Sequence, residues 1–345
     1  MTNLKNEANI KPIQRLEFNE RDASIGSIVF VLLQYGFLIL FSMLISAGLV
    51  YTDVVSTIAS VLLEGMFAVT VWVVARAQRV SWVHATTLNK KPQGIHFAWA
   101  VLLALVCLFC FTALTNAFLE ILVRLGYATS DMQNPDSALT VTTFGQLVLY
   151  TFTIALVPAF TEELLFRGLL YKGFATLGKH AGVWLSAVLF MLMHGSPDQT
   201  VHQLILGVVL GYTFMVTGSI YIPMFIHFLN NFIVLVINYM AYASGAMSAV
   251  GEEVFTTSAS LLFTILQGVL LAVLGGVIIY FVLQHLYRKQ KASIVQQAEP
   301  NEALAPTQVS SGKRKLDVAS IICLSLSLFV LVLAWIISLI TGFGV

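Results

Sequence analysis

Apolar residues are gathered along this chain into blocks of about twenty, long enough to cross a hydrocarbon core of ~30 Å as helices rising ~1.5 Å per residue. Nine blocks are read, near residues 26–50, 54–76, 97–123, 143–165, 181–195, 201–217, 220–241, 259–287 and 318–340. The fifth and sixth are the shortest. A membrane barrel would instead alternate apolar and polar positions in short strands. The predicted fold is all-α: a polytopic transmembrane helical bundle of about nine spans, with residues 26–287 as its main membrane domain.

The stretch 288–317, which includes QQAEPNEALAPTQVSSGKRK, is polar, carries Pro and Ser and has no apolar period. It reads as a flexible cytoplasmic linker, which makes the last block, in 318–345, an appended helix. Composition agrees with lipid as the solvent, because a chain of 345 residues that is 58% hydrophobic and 10% charged cannot coat a soluble globule. A formal net charge of +1 offers no basic face to phosphates, so no nucleic-acid partner is expected.

Charge matters through its distribution. Lys5, Lys11, Arg15 and Arg21 precede the first block, Arg76, Arg79, Lys90 and Lys91 follow the second, and Arg167, Lys172 and Lys179 follow the fourth. Arg288, Lys289, Lys291, Lys313, Arg314 and Lys315 fill the linker, which leaves Arg124 on the other side. Basic residues stay in the cytoplasm, so the amino terminus is expected inside and the carboxyl terminus outside. The first 25 residues lack the apolar core of a cleaved signal peptide. Cys107 and Cys110 have CxxC spacing but lie in an apolar block, as does Cys323, and are expected to pack as small apolar residues.

Ionisable side chains in a bilayer are costly and need a partner or a purpose. The densest set spans three neighbouring blocks: Pro158, Glu162, Glu163 and Arg167 in PAFTEELLFRG, Phe190 and His194 in FMLMHG, and His227, Asn230 and Asn231 in HFLNN. Glu163 and Arg167 are four apart with the acid first, the favourable order for an ion pair on one helix face. Glu162 is turned ~100° away and is left as the free carboxylate, placed to act as a general base. His227 and Asn231 are again four apart and can donate toward a common point, as an oxyanion hole requires. Phe190 lies one turn before His194 and can hold its ring in place. Any one of these side chains could be interhelical glue, yet an acid, two imidazoles and an amide together are an expensive way to glue a bundle.

These three spaced motifs, Glu162-Glu163-x-x-x-Arg167, Phe190-x-x-x-His194 and His227-x-x-x-Asn231, resemble the intramembrane protease family that includes the eukaryotic CaaX prenyl endopeptidase and bacterial CPBP (Abi) proteins. The resemblance covers roughly residues 158–231. It implies an all-helical core around a cavity, a multi-pass protein of a bacterial cell membrane, and a membrane-associated peptide or protein as substrate. It assigns water activation to Glu162 and His194, and oxyanion stabilisation to His227 and Asn231. Glu163, Arg167 and Phe190 take supporting places. No cofactor is expected. The alternative is zinc held by Glu162, His194 and His227, although the chain has no HExxH.

Outside the motifs, Glu64 sits near the middle of the second block and is expected either to pair within the bundle or to line the cavity. Asp198 and His202 are expected to face solvent on the outer side, with His202 drawn inward as the alternative, and Glu120 to be interfacial. Two rival functions remain: a non-catalytic scaffold or bacteriocin-immunity protein of the same family, and an ion-coupled transporter. The transporter predicts an inverted repeat, which the sequence does not display.

Overall fold

The structure is a computed structural model that describes residues 15–48, 52–128, 140–245, 258–297 and 315–344. Among them all regular structure is helical, apart from one β-bridge between Arg15 and Val80. The helices are α1 (Glu20–Ser46), α2 (Asp53–Ala77), the short α3 (Trp82–Ala85), α4 (Gly94–Arg124) and α5 (Phe144–Phe174). They continue with α6 (Lys179–Met193), α7 (Thr200–Thr217), α8 (Tyr221–Ala243), α9 (Ser258–Gln297) and α10 (Val318–Gly342). Eight are long and apolar enough to cross a membrane, so the chain is a multi-pass integral membrane protein with a helical bundle fold.

Each of the nine apolar blocks is a helix, but the count of spans differs by one from expectation. α6 has 15 residues, which at ~1.5 Å each is ~22 Å and short of a ~30 Å core. It stops at His194 because Gly195 takes a left-handed φ of +62°, which ends the helix at little steric cost. α9 reaches Gln297, so the first part of the stretch read as a linker is helical, while residues 298–314 lie outside those described.

Local chemistry sets several helix starts. Asn19 and Asp22 cap α1 reciprocally, with Asp22 N donating to Asn19 Oδ1 at 3.0 Å and Asn19 N to Asp22 Oδ2 at 2.9 Å. Thr143 and Gln146 do the same for α5. Asp317 caps α10 through Ser320 N at 2.7 Å.

α10 is not an appendage. Its Ser327 hydroxyl lies 2.9 Å from that of Ser27 on α1, and Trp335 Nε1 donates to Thr200 Oγ1 on α7 at 2.9 Å. Leu324 and Leu331 are buried in the same core as Phe30 and Val31 of α1. Cys107 is buried in a second core, between α4, α7, α8 and α9, as its apolar surroundings predicted, and all three cysteines are free.

α5 is continuous but not uniformly α-helical. Two π-helical stretches, Thr151–Leu156 and Leu164–Tyr171, flank an α-helical stretch, Val157–Glu163, that carries the paired glutamates. Widened turns of this kind redirect the side chains that follow them and often accompany functional sites.

Candidate active site

The pair Glu163 and Arg167 is fully buried, with Arg167 Nη1 donating to Glu163 Oε1 at 2.7 Å. Arg167 Nη2 donates to the backbone oxygen of Gly207 on α7 at 2.9 Å. That reach depends on glycine: a Cβ at Gly207 would stand 3.1 Å from Ala187 Cα on α6, so a side chain there would push the helices apart. The guanidinium also lies over the Phe190 ring, 4.8 Å from its centroid.

Glu163 has a second partner. His227 Nδ1 lies 3.0 Å from the same Oε1, so its N–H donates to the carboxylate and the far nitrogen, Nε2, is turned toward Glu162, 3.9 Å from Oε2. His194 is oriented by its own helix, with Nδ1 donating to Phe190 O at 2.8 Å. In the neutral ring this leaves Nε2 as an acceptor. Phe190 braces both imidazoles edge-on, at centroid distances of 4.9 Å to His194 and 5.8 Å to His227. Phe166 packs against Phe190 at 5.1 Å and Phe30 against Phe166 at 5.9 Å, which ties the histidines to the aromatic core of α1 and α5.

Asn231 is placed by a defect in α5. Pro158 has no N–H to give to Ile154 O one turn earlier, and that oxygen accepts from Asn231 Nδ2 at 3.2 Å. Asn230 Nδ2 lies 3.3 Å from Asn231 Oδ1 and 3.3 Å from His202 Nε2. Donation to Ile154 O and acceptance from Asn230 together fix which end of the Asn231 amide carries its N–H groups, and one of those remains to serve a ligand.

Glu162, His194, His227 and Asn231 all border one cavity of 1290 Å³. The structure therefore brings together the four side chains singled out in the sequence, with Glu163 bonded to His227, Arg167 paired with Glu163, and Phe190 packed on both imidazoles. Three further polar groups lie on the cavity wall. Asp198 and His202 border the cavity rather than facing away from it. Glu64 also borders it, accepting a hydrogen bond from Thr161 Oγ1 at 3.0 Å. Glu120 is buried and paired with Arg124 at 2.8 Å, one turn on. Among the described residues no three His, Cys, Asp or Glu side chains are gathered closely enough to hold a metal ion.

A polytopic helical bundle with a cavity among its helices into which several polar side chains converge is the class these features define. Residues 144–233 match the family model described as type II CAAX prenyl endopeptidase Rce1-like, so this segment is similar to the family that its three motifs resemble. The match runs from the start of α5 into α8 and contains all four cavity side chains named above. No curated protein and no solved structure matches the chain.

Proposed function

We propose that this protein hydrolyses a peptide bond of a membrane-associated substrate within the cavity. Residues 26–287 form the protease domain on this reading, with the amino terminus in the cytoplasm. A water held between the Glu162 carboxylate and His194 Nε2 gives its proton to Glu162 and its oxygen to the scissile carbonyl carbon. The oxyanion that forms accepts N–H bonds from Asn231 Nδ2 and from His227 Nε2, with the ring as imidazolium beside Glu163. Glu162 then returns the proton to the amide nitrogen as the C–N bond breaks. No metal takes part.

The observation that carries this reading is convergence. An acid, two rings whose outer nitrogens are set by hydrogen bonds on their inner ones, and an amide with a spare N–H meet at one cavity. That is the donor and acceptor set amide hydrolysis requires.

The test uses purified protein in liposomes with membrane-anchored peptides, prenylated and unprenylated. The wild type should cleave, and Glu162→Gln and His194→Ala should each lower kcat by about 10²- to 10⁴-fold while the protein stays folded. Cleavage at the wild-type rate by both variants would refute the reading. Chelators should leave the rate unchanged, and a loss restored by zinc would replace the metal-free step.

A further inference from the structure

Asn230 belongs to none of the three motifs, yet it ties the Asn231 amide to a third helix. It precedes Asn231 on α8, is turned ~100° from it, and is 4% exposed. Its Nδ2 lies 3.3 Å from Asn231 Oδ1 and 3.3 Å from Nε2 of His202, in the first turn of α7. The direction of each bond in this chain is forced from one end. Ile154 O is a backbone carbonyl and can only accept, so Asn231 turns its Nδ2 to it and its Oδ1 to Asn230. That oxygen also only accepts, so Asn230 presents its two N–H groups, one to Asn231 and one to His202 Nε2. His202 is thereby the acceptor, a neutral ring with its proton on Nδ1. Asn230 Oδ1 has no hydrogen-bond partner among the described protein groups, so this amide is held through its N–H end alone.

We propose that Asn230 and His202 are positioning residues: His202 holds the Asn230 amide, and Asn230 holds that of Asn231 with an N–H toward the oxyanion. This rests on the hydrolysis proposed above and on the donor role given there to Asn231. A side-chain amide turned through half a circle offers an oxygen where it had offered N–H, so a reversed Asn231 would set an acceptor against the developing negative charge. Ile154 O opposes that reversal on one side and Asn230 on the other. In this role Asn230 and His202 act only through Asn231. A tie that merely joined α7 to α8 would use the same bonds, and kinetics in the liposome assay separates the two.

Asn230→Leu keeps the branching of the side chain and removes its donors. It should lower kcat about 10- to 100-fold with KM changed by less than about twofold, a smaller loss than the roughly 10²- to 10³-fold that an oxyanion donor itself is worth. His202→Met removes the acceptor and should lower kcat about fivefold, one hydrogen bond's worth. His202→Gln restores an acceptor, because its amide oxygen can stand near the place of Nε2, and it should keep kcat within about twofold of wild type. Thermal unfolding in detergent checks that each variant is folded, and the two His202 variants supply the measurement if Asn230→Leu is not. In an Asn231→Ala background there is no amide to orient, so Asn230→Leu and His202→Met should each cost less than about twofold more, whereas a tie between helices would cost as much as before. A folded Asn230→Leu or His202→Met enzyme as fast as wild type, a His202→Gln enzyme as slow as His202→Met, or undiminished losses in the Asn231→Ala background would overturn the proposal. If the wild type cleaves nothing, hydrolysis itself falls. If Asn231→Ala slows cleavage while the Asn230 and His202 variants do not, only the positioning role falls.

Discussion

At the scale of single residues, the buried ion pair is where a change should cost most. Glu163 and Arg167 have no exposure, and one oxygen of Glu163 serves both Arg167 and His227. Arg167→Met removes the cation and leaves the carboxylate buried with only the imidazole. The expected loss is about 3–5 kcal/mol, measured by denaturant unfolding in detergent micelles. Arg167→Lys should recover less than half of it, because a single ammonium does not reproduce the planar fork that spans Glu163 and the Gly207 carbonyl. This pair was legible in the sequence because both members lie on one helix turn, and so was the contact of Phe190 with His194. Glu64 was not legible in the same way. Its contact with Thr161 joins positions 97 residues apart, and a lone carboxylate in an apolar block carries no sign of which helix it will meet. For His202 an inward position was legible only as an alternative, for the same reason: its partner Asn230 is 28 residues away, on another helix.

At the scale of elements, the apolar blocks located every long helix, missing only the short α3, but could not see how α5 is wound. An apolar block reads alike whether its turns are α or π, and only the backbone shows that Glu162 and Glu163 lie between two widened stretches. The register matters for function, because Glu162 must face the cavity while Asn231 holds Ile154 O on the preceding stretch. Deleting Phe152, whose ring is exposed on the outside of the first stretch, would take out one residue and turn the following segment by ~100°. The expected result is an inserted protein with unchanged helical circular dichroism and cleavage reduced by about 10²-fold or more, since small misplacements of reacting groups have effects of that size. Wild-type cleavage after the deletion would show that the winding of α5 does not place the base. The length of α6 belongs to this scale too. The apolar pattern near 181–195 is that of a span, yet the helix begins at Lys179 and ends at Met193, ahead of Gly195, so His194 is held at a helix end with its ring free of a following turn.

For the whole molecule, the distribution of polarity is inverted relative to a water-soluble protein. Leu270, Phe281 and Phe144 are exposed, while Glu162, Glu163, Arg167 and His227 are buried. With apolar side chains as comfortable in lipid as in the bundle, burial alone does little to hold the helices together, and interhelical packing and hydrogen bonds carry more of the association. That argument changes the standing of α10, which composition and the polar stretch before it had suggested was an addition to a finished domain. α10 bonds to α1 through Ser327 and Ser27 and to α7 through Trp335 and Thr200, and its Ala334 forms part of the cavity wall. Such bonds contribute about 0.6 to 1.7 kcal/mol each in membrane proteins, so Ser327→Ala and Trp335→Phe should each lower stability by that much. Ending the chain before Asp317 should remove both bonds and the packing of Leu324 and Leu331 at once. The truncated protein should unfold at lower denaturant concentration than either point variant, and it should lose cleavage because the cavity opens where Ala334 stood. A truncated chain with wild-type stability and rate would make α10 dispensable and return it to the role its sequence suggested.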